Sequence, residues 1–121
     1  DNAFLILKTK TSQVAFLHVS CTEWKNTFSF EIYGKGGKLV IDGLGGSYGV
    51  EKLTHYKMLP QMGPPETYIY EFPMADNSWV LELEEFCEDI IQDRVVECGL
   101  KEALEVLKII EKAYEDNKSG N

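Results

Sequence analysis

The apolar residues of this 121-residue chain change their period near residue 76, and that change limits the folds open to it. Up to Phe72 they fall in short strand-length stretches, several with every second position apolar, as in Phe28, Phe30 and Ile32, or Tyr68, Tyr70 and Phe72. That is the spacing of a pleated strand, whose side chains alternate between faces. Beyond it, Trp79, Leu83, Phe86 and Ile90 follow at intervals of four, three and four, one face of an α-helix. Strands first and helices last describe an α+β domain. The expected architecture is a mainly antiparallel open sheet of about six strands with two C-terminal helices packed on one face, one domain over residues 1–121.

The strands are expected at Ala3–Lys10, Val14–Trp24, Phe28–Tyr33, Lys38–Asp42, Lys52–Leu59 and Thr67–Phe72. Gly34, Gly36 and Gly37 tolerate positive φ, so the chain is expected to reverse there as a β-hairpin. Asp76, Asn77 and Ser78 are all competent N-caps for the first helix. Arg94 to Gly99 leads to a second helix, from about Leu100 to Asp116. Its apolar residues include Leu100, Ala103, Leu104 and Leu107 on one side and Val106, Ile109 and Ala113 elsewhere. One surface cannot cover so wide a stripe. The first two strands show the same excess, with Ala3, Leu5 and Leu7 opposed to Phe4 and Ile6. A sheet with one wet face alternates more cleanly, so the burial is expected to be completed from outside this chain.

A formal net charge of −8 repels phosphate backbones and anionic lipid heads, which argues against nucleic-acid or membrane binding. There is no apolar run of the roughly 20 residues a membrane helix needs, and no signal-peptide pattern. Three cysteines, Cys21, Cys87 and Cys98, form neither a disulfide framework nor a zinc spacing, so inert thiols in a reducing cytoplasm are expected. The first residue is Asp1, as expected of a piece of a longer protein.

Few residues invite chemistry. Gly43, Gly45, Gly46 and Gly49 have nearly the density of a dinucleotide fingerprint, but a strand pattern follows them where a helix is required. A wide β-connection is expected instead. His18 stands beside Cys21 without an orienting group, and His18 and His55 have no ligand spacing, so neither nucleophile nor metal site is expected. Trp24 and Trp79 stand at element ends next to polar groups, Glu23, Lys25 and Asn26 in one case and Asp76 to Ser78 in the other. Such pairings suit a sugar ring, which an indole covers and an amide hydrogen-bonds. The competing expectation is that each ring plugs the rim of the core.

Three segments together are similar to the C-terminal domain of the glucose-fructose oxidoreductase, inositol dehydrogenase and MocA family. They are the hairpin from Phe30 to Leu39, the helix bearing Trp79, Glu82 and Phe86, and the closing helix from Gly99 to Glu115. The resemblance implies a two-part NAD- or NADP-dependent dehydrogenase acting on a sugar, cyclitol or related molecule. An N-terminal Rossmann domain, absent here, would hold the cofactor. The present domain would form one wall of the substrate pocket and join a homo-oligomer through its open sheet face. Trp24, Asn26 and Trp79 fall at substrate-facing positions; tryptophan at 79 stands where tyrosine is frequent, so no hydroxyl contact carries over. The family's Glu-Lys-Pro segment and Asp-x-x-x-His pair do not occur in residues 1–121. This chain alone is therefore expected to contain no catalytic residue, bind no cofactor and be inactive. A free-standing, non-catalytic binding or dimerisation module of the same architecture is the alternative.

Overall fold

The computed structural model describes residues 1–96 and 98–119. The chain is α+β, with six antiparallel strands followed by two helices: β1 (Asn2–Lys8), β2 (Val14–Ser20), β3 (Ser29–Gly34), β4 (Gly37–Asp42), β5 (Glu51–Lys57), β6 (Glu66–Phe72), α1 (Ser78–Gln92) and α2 (Leu100–Ser119). It falls into two compact units, one of residues 1–20 and 80 onward, the other Cys21–Trp79.

The expected single sheet is corrected to two, a β1–β2 hairpin and a four-stranded meander β3-β4-β5-β6. The break falls between β2 and β3, where residues 21–28 form no strand. The second strand, expected to run to Trp24, stops at Ser20, and Trp24 adopts φ 60, a left-handed conformation no strand accommodates.

In the first unit, β1 and β2 pair in register from Asn2↔Ser20 to Lys8↔Val14. Their turn is closed by Thr9 N–H donating to the Gln13 carbonyl at 2.9 Å and Ser12 N–H to the Thr9 carbonyl at 3.1 Å. Both hairpin faces are apolar. Phe4, Ile6, Phe16 and Val14 share one with His18, whose ring stacks on Phe4 at 4.4 Å; Ala3, Leu5, Leu7, Ala15, Leu17 and Val19 share the other.

α1 ends in a left-handed residue, Asp93 at φ 51, and Arg94 N–H donates back to the Asp89 carbonyl at 3.0 Å. This is a Schellman-type closure. The Arg94 guanidinium folds over the acidic flank, 2.9 Å from Asp89, 3.2 Å from Glu85 and 3.4 Å from Glu88. It supplies the cation that the helix C-terminus otherwise lacks. α1 buries none of its residues, and no described residue of α2 is buried. Among the described residues, no helix is long and apolar enough to cross a membrane.

In the second unit, the strand register separates two chemistries. Phe30, Ile41, Leu53 and Tyr70 lie abreast, as do Ile32, Leu39, His55 and Tyr68, on one face. The opposite face carries Ser29, Asp42, Lys52 and Glu71, then Glu31, Val40, Thr54 and Ile69, then Tyr33, Lys38, Tyr56 and Thr67. The buried positions of the sheet, Val40 at 8% exposure and Thr54 at 4%, lie at the centre of this mixed face. Long neighbouring side chains shield them, including the Lys38–Glu31 ion pair at 2.7 Å. Tyr33 also donates to Glu31, and the Lys38 ammonium lies 4.8 Å above the Tyr33 ring. The apolar face has no such cover: Phe30, Ile32, Tyr68, Tyr70 and Phe72 are exposed.

The β3–β4 hairpin forms as expected, but its glycines serve a different purpose. Gly34, Gly36 and Gly37 do not have positive φ. Gly37 is required by close approach, since a Cβ there would sit 2.3 Å from the Tyr56 carbonyl oxygen of β5.

Candidate functional site

The residues that sequence reasoning assigned to substrate lie at the edges of regular structure. Trp24 and Asn26 occupy the irregular segment between β2 and β3, and both are exposed. A left-handed backbone at a tryptophan costs about 1–2 kcal/mol. Here it turns an indole wholly into solvent, at 103% exposure, so nothing in the chain's own core repays the strain. Such strain collects at functional positions. Trp79 lies in the first turn of α1 and is 79% exposed. Neither indole plugs a core rim. Among the described residues, ring stacking joins Phe4 to His18 and His55 to Tyr68, and neither pair includes a tryptophan.

Of the three candidate caps, geometry selects Asp76. Its Oδ1 accepts from Ser78 N–H at 3.0 Å, the N-cap pattern. That backbone bond, with a second contribution from the Ser78 side chain, holds the Asp76 carboxyl below its ordinary pKa. A depressed carboxylate pKa gives stability that is complete above the unfolded value, about 3.9, and lost as pH falls through the lowered folded value. The cap therefore works throughout the neutral range.

Asp76 also meets the glycine-rich loop. Its Oδ2 lies 3.3 Å from where a Gly45 Cβ would stand. On the other side, Gly45 N–H donates to Glu51 Oε1 at 2.8 Å. The loop is further closed by Gly43 N–H on the Phe28 carbonyl at 3.2 Å and Tyr48 N–H on the Leu44 carbonyl at 3.3 Å. Sequence reasoning identified the loop and the cap separately and missed their contact. The only local hint was an acid six residues beyond Gly45; Asp76 lies two strands later.

These residues do not fit a dinucleotide. The loop joins β4 to β5 rather than a strand to a helix. The Gly45 amide that a phosphate would use is already bonded to a carboxylate, and Asp76 adds a second negative group beside it. No step of cofactor chemistry is assigned to this chain. No group of three or more acidic, histidine or cysteine side chains fit to hold a metal occurs among the described residues. Cys21, Cys87 and Cys98 are free, and all three are exposed rather than buried.

On the apolar sheet face, His55 stacks on Tyr68 at 5.9 Å. Tyr68 donates to Glu66 at 2.9 Å, and Lys57 lies 3.4 Å from the same carboxylate. The Tyr68 hydroxyl, then Lys57, hold Glu66 below its ordinary range, and Glu66 in turn raises the Tyr68 hydroxyl. The face thus ends in a neutralised polar corner rather than a reactive group.

A family model described as "Oxidoreductase family, C-terminal alpha/beta domain" matches residues 1–121. The chain belongs to the glucose-fructose oxidoreductase, inositol dehydrogenase and MocA family, as a C-terminal domain. No match was found among curated proteins or solved structures. In this family a C-terminal domain implies an N-terminal partner domain.

Proposed function

We propose that this domain forms one wall of the substrate pocket in an NAD- or NADP-dependent dehydrogenase. Its substrate would be a sugar, a cyclitol or a related polyol derivative. The cofactor is held by an N-terminal Rossmann domain of the full-length protein, which works in the cytoplasm. That partner also supplies the groups that move hydride and proton; residues 1–121 act as a single substrate-binding and oligomerisation domain beside it. The observation that carries the substrate reading is Trp24, an indole set wholly into solvent by a strained backbone beside Glu23, Lys25 and Asn26. An aromatic face with amide and charged groups at its rim suits a ring that is apolar on its C–H face and hydroxylated at its edge. Trp79 presents a second such face, and Asn26 offers both a donor and an acceptor.

The test is a titration of the full-length protein with NAD(H) and NADP(H), followed by a panel of sugars and cyclitols with nicotinamide absorbance as readout. One nicotinamide cofactor is expected to bind, with reduction dependent on a polyol. Failure to bind either cofactor would favour the non-catalytic module, and turnover confined to non-carbohydrate alcohols would remove the substrate class.

The apolar face of the four-stranded sheet supports a homo-oligomer interface. Contiguous apolar surface on this scale marks an interaction site, and the charged groups at its ends are already engaged, Lys57 with Glu66 and Glu51 with the Gly45 amide. Replacing Tyr70 by Glu is expected to shift the full-length protein to a smaller species in sedimentation velocity. A wild-type protein that is monomeric at tens of micromolar, the range of modest interfaces, would refute the interface.

A further inference from the structure

The two oxygens of Asp76 are divided between tasks. Oδ1 caps α1 through Ser78 N–H, and Oδ2 faces Gly45, whose missing side chain makes the approach possible. Gly45 N–H donates to Glu51, and at φ 55 a Cβ added at Gly45 would stand only 3.3 Å from Asp76 Oδ2. Trp79 follows Ser78 directly in the first turn of α1. Trp79 belongs to the same compact unit as Asp76 and Gly45, so a backbone held at Ser78 constrains the residue that follows it.

We propose that Asp76 and Gly45 form a clamp that positions the Trp79 indole against substrate, with Asp76 as a positioning residue rather than a catalytic one. This rests on the reading of Trp79 as part of the pocket wall. The loop earlier compared with a phosphate cradle has a different use: it sets an aromatic platform. Gly45 and Asp76 thereby influence affinity without touching the ligand.

The loop contains its own control. Gly46 also has positive φ, 71, but a Cβ there meets nothing within 4 Å. Alanine at either position incurs similar backbone strain; only at 45 does it press on Asp76. The experiment is fluorine NMR of the full-length protein labelled with fluorotryptophan, the Trp79 resonance being assigned by its loss in Trp79→Phe. Gly45→Ala and Asp76→Ala are each expected to move that resonance, and the double variant to move it no further than the larger single change. Asp76→Asn keeps an acceptor of the same size and is expected to restore it, whereas Gly46→Ala leaves it in place.

With the polyol the enzyme turns over, Gly45→Ala and Asp76→Ala are expected to raise KM about threefold or more at nearly constant kcat, the mark of lost uniform binding. A Gly46→Ala spectrum that matches Gly45→Ala, or an unmoved resonance in Asp76→Ala, would overturn the clamp. A raised KM in Trp79→Ala with none in Gly45→Ala or Asp76→Ala would also overturn it. An unchanged KM in Trp79→Ala would instead overturn the pocket reading and the proposal with it. If Gly45→Ala fails to fold, Asp76→Ala and Asp76→Asn carry the test from the other side of the contact.

Discussion

Replacing Gly37 by Ala is expected to destabilise the four-stranded sheet by about 2–4 kcal/mol, the scale of overpacking plus a weakened backbone hydrogen bond. The Cβ would lie 2.3 Å from the Tyr56 carbonyl oxygen and 3.4 Å from its carbonyl carbon. Both are backbone atoms of the neighbouring strand, so no rotamer change relieves the clash. β4 and β5 must separate at their end, where Gly37 pairs with Lys57 and Met58 N–H donates to the Gly36 carbonyl at 2.9 Å. Gly36→Ala is the matched control. A Cβ there meets nothing within 4 Å, and its φ is not positive. It should be neutral or slightly stabilising through the lower entropy of the unfolded chain. Urea unfolding of the full-length protein, followed by circular dichroism, measures both; equal midpoints for the two variants would mean that the β4–β5 spacing is not as described.

Trp24→Gly is expected to raise stability and lower catalytic efficiency at once. Glycine occupies φ near 60 without steric cost, and a fully exposed indole contributes no packing to lose. Set against the extra freedom of glycine in the unfolded chain, the net gain is about 0.5–1 kcal/mol. The same change removes the aromatic face proposed to cover the substrate ring. Truncated tryptophans at binding surfaces commonly lose about 2 kcal/mol or more, which is a rise in KM of more than tenfold. A stability gain with unaltered kinetics would place Trp24 outside the pocket. Loss of both would mean that the indole packs on another part of the full-length protein.

The α+β class and the order of elements were legible in the chain because they follow from local periodicity. Period-two residues such as Phe28, Phe30 and Ile32 and the four-three-four spacing of Trp79, Leu83, Phe86 and Ile90 each need only near neighbours to specify a strand or a helix face. Capping chemistry was equally local, and the structure had only to choose Asp76 from three adjacent candidates. The excess of apolar surface could also be counted from the strands and from the stripe of α2.

Three things required the tertiary structure. The division into two sheets and the left-handed backbone of Trp24 were not signalled by any residue preference. The role of Gly37 depends on Tyr56, nineteen positions away and brought close only by strand pairing. The contact of Gly45 with Asp76 spans two further strands, so the most position-dependent part of the site is set by topology rather than by any motif. The sequence by itself determined which segments extend, which coil and how much apolar surface they carry. Which backbone atoms meet across the chain was decided only in three dimensions, because hydrogen-bond register and close approach depend on partners distant in sequence.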